Sequence, residues 1–269
     1  RASELGRPPS DARSITVLHL ADLHLAPWQR KKIDWVRSLA LLEPDLIINT
    51  GDNYGHPDAL EAIQHALQPF AGIPGVHVNG SNDYFGPEFK NPFRYFAGPS
   101  GRSNRAATLD TAALERHFED GLGWLGLNNA ARAFELRGSR LEFFGVNDAH
   151  PGWDRLDRLP GLVEEMRENV GWQDDRTGAN PVAIGVTHSP YRRVLDAFVT
   201  NGADAIFAGH THGGQVRIPG LPALVTNCDV PAFLNVSAGI GTSIYAPVRF
   251  ACPPEAVVVT LTPGDIGYS

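Results

Sequence analysis

The stretch ITVLHLADLH, residues 15–24, contains the pattern that predicts the fold. Its apolar part is rich in β-branched side chains and has the length of a buried strand. The apolar run stops at Asp22, and His24 follows two positions later. In open α/β sheets, ligands bind beyond the carboxyl ends of the strands. A strand that ends in a carboxylate and an imidazole therefore predicts a functional edge of a sheet.

The same arrangement, an apolar run that ends in polar side chains, recurs along the chain. The further runs are DLIINTGD (45–52), GVHVNGSND (75–83), LEFFGVND (141–148), VAIGVTHSP (182–190) and DAIFAGHTH (204–212). Two more runs, AFLNVSAG (232–239) and AVVVTLT (256–262), also predict strands. The polar residues at these ends are far apart in the sequence but occupy equivalent places in the predicted sheet.

Helical patterns lie between several of these strands. Residues 30–42 and 57–70 carry apolar residues at helical spacing, and 190–199 begins with a proline, which is common in the first turn of a helix. The alternation of strands and helices predicts an α/β fold with parallel pairing in the first half of the chain. Towards the C-terminus, strands follow one another through Pro/Gly turns, which favours antiparallel or mixed pairing.

The composition is that of a soluble globular protein. The 269 residues are 42 % hydrophobic and 20 % charged, with a net charge of −7. This charge argues against binding of a nucleic acid duplex and against broad attraction to anionic lipid. An anionic substrate would need a local reversal of the field, which a metal cluster supplies. No apolar run reaches the length of about 18 residues that spans a membrane.

The domain organisation is predicted to be simple. Residues 1–14 form an N-terminal extension and residues 15–269 a single domain. The chain opens RASELGRPPS without an initiator methionine, so an upstream signal or anchor is left open. Cys228 and Cys252 could form one disulfide or remain two buried thiols, and their spacing does not indicate a zinc site.

One stretch interrupts the strand–helix rhythm. Residues 84–106 combine six aromatic side chains with Lys90, Arg94, Arg102 and Arg105. We predict a lid-like insertion at about 84–110. It either packs on itself or forms a patch for an apolar substrate tail or a membrane surface.

The segment GHTHGGQ, residues 209–215, places His210 and His212 two positions apart among glycines. A strand would send these side chains to opposite faces, whereas a glycine-bounded loop can direct both to one point. Asp, His and Asn donors from the other strand ends would converge there. Such oxygen and nitrogen donors suit manganese, iron, zinc or similar ions.

The ordered set D-x-H, GDN, G-x-N-D, a late single histidine and GH-x-H resembles the calcineurin-like metallophosphoesterases over about residues 15–262. GHTHGGQVRIPG (209–220), SAGIGTS (237–243) and CPPEAVVVTLT (252–262) resemble the narrower bacterial YkuE/YaeI-like branch. The resemblance implies a four-layer α/β/β/α sandwich of two mixed sheets with a dinuclear metal site. Because some members of that branch are membrane-associated or exported, it also favours membrane association.

The resemblance also implies which residues hold the two divalent or trivalent ions. Asp22, His24, Asp52 and His212 would hold the first, and Asp52 would bridge to the second. His188, His210 and an asparagine would complete the second site. The implied reaction is hydrolysis of a phosphate ester, most specifically a phosphodiester, by attack of a metal-bridging hydroxide.

The third motif departs from the family pattern. The family usually has Gly-Asn-His-Asp, whereas this chain has Gly80-Ser81-Asn82-Asp83. We favour Asn82 as the metal ligand; Ser81 and Asn79 are the alternatives. In either alignment the histidine that donates a proton to the leaving group is missing, and an asparagine amide cannot replace it near neutral pH. Asp83 is expected to orient neighbouring groups.

His150, in GVNDAH after a strand, is the candidate for the missing acid. The alternative is a loop histidine that only packs, with a substrate whose leaving group needs no acid. Arg217 and Arg249 are candidate phosphate contacts because guanidinium groups bind phosphate in a bidentate manner. Surface salt bridges are the alternative role for both arginines.

Two functions remain open at this point. The first is a metal-dependent phosphodiesterase whose ester substrate is lipid-linked or small and soluble, with peripheral membrane contact as one consequence. The second is a catalytically weak or silent member of the same fold that acts as a binding module. The retention of seven candidate ligands favours the first, because unpaired buried carboxylates are costly without a cation.

Overall fold

The computed structural model describes residues 12–86, 108–172, 180–214, 230–244 and 249–263, which form two five-stranded sheets. The strands of the first sheet, in spatial order, are β10 (Val257–Leu261), β1 (Ile15–Leu20), β2 (Leu46–Asn49), β3 (Gly75–His77) and β4 (Trp124–Gly126). Those of the second are β5 (Ala130–Leu136), β6 (Ser139–Gly145), β7 (Val182–Thr187), β8 (Ala205–Ala208) and β9 (Phe233–Val236).

Both sheets are mixed. Strands β1 to β4 are parallel, and β10 pairs with β1 in the antiparallel sense. In the second sheet β5 is antiparallel to β6, whereas β6 to β9 are parallel. The predicted parallel pairing of the first half is confirmed. The expectation of antiparallel or mixed pairing near the C-terminus holds for β10 but not for β9, which extends the second sheet in parallel.

Five α-helices lie in the described residues: α1 (Arg30–Ser38), α2 (Leu60–Leu67), α3 (Thr111–Arg116), α4 (Leu159–Val170) and α5 (Arg192–Thr200). The predicted helix 30–42 consists of α1 and a 3₁₀ turn over Leu39–Leu42. The predicted helix 57–70 begins at Leu60 and ends in a second 3₁₀ turn. Sequence reasoning did not identify β4, β5, α3 or α4.

Three buried clusters separate four layers. Between the sheets, Val17 and Ile48 pack with Phe143 and Ile184. On the outer side of the first sheet, Leu18 packs with residues of α1 and α2, such as Ile33 and Ile63. On the outer side of the second sheet, Phe144 and Ile206 pack with Val163, Leu195 and Phe198. Successive strand residues thus face opposite layers. The predicted α/β/β/α sandwich is confirmed.

The two sheets are joined by polar contacts near the ends of their strands. His19 of β1 places Nδ1 2.7 Å from Asn235 Oδ1 of β9 and Nε2 3.0 Å from Thr50 Oγ1. His188, which follows β7, donates from Nδ1 to the carbonyl of Thr50 after β2 (2.7 Å). These bonds bring the ends of β1, β2 and β7 together, where the polar clusters of the sequence lie.

The described ends of the predicted insertion at 84–110 lie side by side. Phe85 and Thr108 form an antiparallel bridge, and the Leu109 amide donates to the Tyr84 carbonyl (2.9 Å). Residues 87–107 and most of the predicted N-terminal extension 1–14 lie outside the described residues, so the lid and the domain limits stay predictions. Among the described helices, none has the length and apolar character needed to cross a bilayer.

Candidate metal centre

Six of the seven predicted ligands converge at the ends of β1, β2, β7 and β8. Ligand atoms of Asp22, His24 and His212 lie within 4.8 Å of one another, and so do those of Asp22, Asp52 and His188. Asp22 belongs to both groups. His210 joins them through its Nδ1, which lies 3.2 Å from His188 Nε2. Two adjacent sets of donors are thus assembled from distant parts of the chain.

Asp52 lies at the junction of the two sets. Its Oδ2 is 3.6 Å from His24 Nε2 and 3.4 Å from His188 Nε2. His212 Nε2 is 3.6 Å from Asp22 Oδ1 on the other side. Since Nδ1 of His188 donates to the Thr50 carbonyl, its Nε2 is directed at the centre, as is usual for a metal-binding imidazole.

The electrostatics of the centre indicate a place for positive charge. Burial raises the pKa of Asp22 to about 6, and the nearby Asp52 adds to the shift. Burial would also raise the pKa of Asp52, but His188 and His24 outweigh it and hold this pKa well below its usual value. Burial would lower the pKa of His188, but Asp52 and Asp148 raise it well above its usual value. Positive charge is therefore favoured between these carboxylates.

The remaining imidazoles are neutral bases that fit a cation. Burial lowers the pKa of His24 and of His212 to about 4, and it lowers that of His210 well below its usual value. Within the described residues neither ring nitrogen of His24 has a hydrogen-bond partner, although both are buried. A buried polar atom without a partner is rare and costly. Neutral imidazoles beside carboxylates are the donor set that divalent transition metals prefer.

Most of the predicted ligands have a strained backbone conformation. Five predicted ligands adopt left-handed backbone conformations, with φ between 40° and 68°: Asp22, His24, Asp52, His210 and His212. This region costs non-glycine residues on the order of 1 kcal/mol each, and such strain concentrates at functional sites. Sequence reasoning had placed the conformational freedom in the glycines of GHTHGGQ, whereas both histidines themselves take the unusual φ.

The glycines beside the ligands matter for close approach. A Cβ on Gly209 would lie 2.8 Å from Asp22 Oδ2, and the amide of His210 donates to the same oxygen (3.0 Å). A Cβ on Gly80 would lie 2.2 Å from Asp52 Oδ1 and 2.8 Å from His188 Cε1. The backbone therefore contacts the carboxylates directly at both glycines.

We expect Gly80→Ala to reduce the affinity for Mn²⁺ by about 10–100-fold, the range seen when support around a metal ligand is disturbed. The added methyl group would displace Asp52 and His188. Isothermal titration calorimetry of the purified variant measures the effect. The matched control is Gly161→Ala in α4, where a Cβ meets no atom within 4 Å. A Gly80→Ala protein that binds Mn²⁺ like the wild type would contradict this description.

Among the three candidates in the third motif, Asn82 contacts the centre. Its side-chain Nδ2 donates to Asp52 Oδ2 (2.6 Å), and its backbone amide donates to Asp52 Oδ1 (2.9 Å). The Ser81 amide donates to Asp148 instead, and the Asn79 side chain donates to Glu115 (2.7 Å). Asn82 is thus the candidate whose side chain contacts a predicted ligand, and its role as a metal ligand stays a prediction.

Asp83 is buried and connects the second and third motifs. Its carboxylate accepts hydrogen bonds from the amides of Asp52 (2.8 Å), Asn53 (2.7 Å) and Gly80 (3.0 Å). Burial, with the nearby charge of Asp52, raises its pKa to about 7. These contacts fit a role in orienting the turns that carry Asp52 and Asn82.

His150 lies beside the predicted ligands. Its ring centroid is 4.9 Å from that of His210, and its Nδ1 is 2.8 Å from the hydroxyl of Tyr191. Tyr191 thus contacts Nδ1 of this ring and not Nε2. Tyr191 was not identified from the sequence, because only its position after Pro190 at the start of a helix was apparent.

Asp148 is a second residue whose part in the site was missed. It is fully buried and accepts hydrogen bonds from Ser189 Oγ (2.6 Å), the His150 amide (2.9 Å) and the Ser81 amide (3.0 Å). It therefore fixes three loops of the site relative to one another. The available signal was its position at the end of the run LEFFGVND.

Of the two arginines predicted to contact phosphate, only Arg249 lies within the described residues. Arg217 lies outside the described residues, as does Cys228. Arg249 donates from Nη2 to the carbonyls of Gly239 (3.0 Å) and Gly241 (2.5 Å), and this nitrogen is 3.5 Å from His212 Nδ1. It thus supports the loop beside His212, and its contact with phosphate stays a prediction. Cys252 is a buried free thiol that donates to the His212 carbonyl (3.2 Å).

Comparison with known proteins agrees with this architecture. A family model described as calcineurin-like phosphoesterase matches residues 15–214. An uncharacterized Bacillus subtilis protein, YpbG, is 27 % identical over 268 residues, which cover 95 % of this chain and 82 % of that protein.

Two solved structures are similar at lower identity. A dimetal phosphatase from Danio rerio is 12 % identical, with a TM-score of 0.42, over 75 % of this chain and 82 % of that one. The NAD nucleotidase of Haemophilus influenzae is 13 % identical, with a TM-score of 0.45, over 91 % of this chain and 55 % of that one. Similarity of this degree supports no statement about substrate.

The match of the family model over most of the chain shows that this protein belongs to the calcineurin-like phosphoesterases. Membership and the two Asp/His groups together support a metal-dependent hydrolase that acts on phosphate esters. The narrower YkuE/YaeI-like branch stays a prediction.

Proposed function

We propose that this protein is a phosphodiesterase that uses two metal ions, manganese, iron or zinc, at the centre described above. The observation that supports the proposal best is the pair of donor groups that share Asp22 and meet at Asp52. Asp22, His24, Asp52 and His212 would hold one ion. Asp52, Asn82, His188 and His210 would hold the other. Two bound cations would neutralise phosphoryl oxygens and lower the pKa of a water to near neutrality.

The protein's own residues position and orient the predicted ligands and His150. The sheets hold the carboxylates at fixed strand ends, and Asp83 accepts hydrogen bonds from the backbone around Asp52. Thr50 fixes the ring of His188 through its carbonyl, and Asp148 holds the loop of His150. Such preorganised groups lower the barrier because they need not rearrange during the reaction.

The diesterase proposal includes a general acid for the leaving group. The third motif lacks the histidine of the family pattern, and the ring of His150 lies beside that of His210. We propose that His150 donates a proton from Nε2 to the leaving oxygen while Tyr191 holds Nδ1. Esters with a low-pKa leaving group would need this proton least.

Elemental analysis followed by a substrate comparison tests the proposal. We expect protein purified without added metal to contain manganese, iron or zinc, rising to about two equivalents after loading with Mn²⁺. It should then hydrolyse bis(p-nitrophenyl) phosphate faster than p-nitrophenyl phosphate. Faster turnover of the monoester would contradict the diesterase assignment. Two bound equivalents with no turnover of either ester, or of alkyl diesters, would favour the binding module.

The lipid-linked substrate is the finer form of this proposal. The aromatic and basic stretch that suggested it, residues 84–106, lies mostly outside the described residues. The lipid-linked form is suggested by that sequence pattern, and a small soluble diester is the alternative. Turnover of a phosphodiester lipid in vesicles, compared with that of a cyclic nucleotide, separates the two.

A further inference from the structure

Residues 28–42, WQRKKIDWVRSLALL, expose an unusual number of large apolar side chains. The exposed fractions are 60 % for Trp28, 38 % for Trp35, 84 % for Leu41 and 49 % for Leu42. Single exposed apolar residues are normal, but a cluster of them on a folded protein marks a binding surface. We call this cluster, together with the exposed Arg30 and Lys31, the α1 face.

The helix α1 buries one apolar stripe, and further large apolar side chains stay exposed in and beside it. Ile33 and Val36 are buried in the core beneath it, where α1 packs beside α2. Lys31 and Trp35 are four residues apart and lie on one outer stripe of α1. Leu41 and Leu42 follow in the 3₁₀ turn and are also exposed. The core therefore accounts for the inner stripe, whereas Trp28, Leu41 and Leu42 keep about half or more of their surface exposed.

The charge of this segment is opposite to that of the protein. Arg30, Lys31 and Arg37 lie on α1, with Asp34 and, just beyond, Glu43 as the acidic side chains, whereas the whole chain has a net charge of −7. Lysine is depleted at the centres of protein–protein interfaces. Tryptophan and leucine flanked by lysine and arginine are instead typical of helices that lie on anionic membranes.

The α1 face borders the candidate metal centre. On the inner side of the same helix, Lys32 donates from Nζ to the carbonyls of Leu23 (3.0 Å) and His24 (2.8 Å). The ring of Trp28 packs edge-on against His56, which follows Asp52 by four residues, with centroids 4.9 Å apart. The surface is thus fixed relative to the two loops that carry His24 and Asp52.

We propose that the α1 face docks the protein peripherally on an anionic phospholipid membrane. Trp28, Trp35, Leu41 and Leu42 enter the headgroup boundary, and Arg30 and Lys31 bind the lipid phosphates. Docking itself does not require catalysis. The consequence that docking presents membrane-embedded phosphate esters to the centre rests on the proposed function.

Vesicle sedimentation tests the docking. We expect the metal-loaded protein to sediment with phosphatidylcholine vesicles that contain phosphatidylserine, and less with pure phosphatidylcholine or at high salt, because salt screens the charges. The triple variant Lys31→Glu/Leu41→Gln/Leu42→Gln should bind at least about tenfold more weakly. The matched control is Phe233→Gln, which alters a residue of similar exposure (51 %) on the second sheet.

Further readouts separate the outcomes. Circular dichroism, Mn²⁺ content and turnover of bis(p-nitrophenyl) phosphate should be the same in the triple variant as in the wild type, because none of the three residues touches the centre. Equal vesicle binding by triple variant and wild type, or no binding by the wild type, would overturn the proposal. Concentration-dependent self-association that the triple variant abolishes, without vesicle binding, would overturn it in favour of contact between copies of the chain. Vesicle binding without ester turnover would leave docking supported and count against the proposed function.

Discussion

Asp52→Ala is expected to reduce the metal-dependent hydrolysis of an aryl phosphodiester by at least about 10³-fold, a loss of roughly 4 kcal/mol in transition-state stabilisation. Asp52 is buried and lies within 3.6 Å of ring nitrogens of both His24 and His188. Together with Asp22, which belongs to both donor groups, it connects the two sets of ligands. Its removal should impair both metal sites at once, so metal content should fall together with rate.

The measurement compares kcat/KM and bound Mn²⁺ for wild type and variant. Asp58→Ala is the matched control, because this carboxylate is 84 % exposed and lies in the same connection after β2. It should retain wild-type rate and metal content. Circular dichroism monitors folding, because Asp52 also accepts two hydrogen bonds from Asn82. Wild-type turnover in a folded Asp52→Ala protein without bound metal would refute the metal-centred mechanism.

The second large effect depends on the leaving group. His150→Ala should reduce hydrolysis of an alkyl diester by about 10²–10⁴-fold, the usual contribution of a general acid. Hydrolysis of bis(p-nitrophenyl) phosphate should change by less than about tenfold, because the p-nitrophenolate ion departs without a proton. Bound Mn²⁺ should stay constant, since we do not place His150 among the ligands.

Two further variants test this interpretation of His150. Tyr191→Phe removes the hydroxyl 2.8 Å from His150 Nδ1 and should give a smaller loss with the same dependence on the leaving group. His65→Ala alters an exposed histidine of α2 and should have no effect. Equal losses on the alkyl and the aryl diester in His150→Ala would show that the residue does not act as the acid.

The fold was predictable because its core strands are nearly continuous runs of apolar residues. Strands β1, β2, β7 and β8 are buried between a helical layer and the other sheet, so nearly every position is apolar. The edge strand β5 was missed because its pattern, AARAFEL, mixes small, charged and half-buried residues. The helix α4 was missed because Gly161 and four charged residues obscure its apolar stripe.

For the candidate site, the sequence was sufficient to predict which residues lie together. Parallel strands place their carboxyl ends at one edge, so residues at the ends of such strands are neighbours whatever their distance in sequence. The backbone conformations of these residues were not predictable in this way. The left-handed backbone of His210 and His212 depends on packing against Asp22 and Arg249, which no local pattern reveals. The contacts of Asp148 with Ser81 and Ser189 likewise require the assembled loops.

A crystal grown with Mn²⁺ and measured at the manganese absorption edge tests the central claim most directly. We predict two anomalous peaks about 3.5–4 Å apart. One should contact Asp22, His24 and His212, the other His188, His210 and Asn82, with Asp52 touching both. No peak between these side chains, or a single ion that leaves either group without metal at saturating Mn²⁺, would contradict the account.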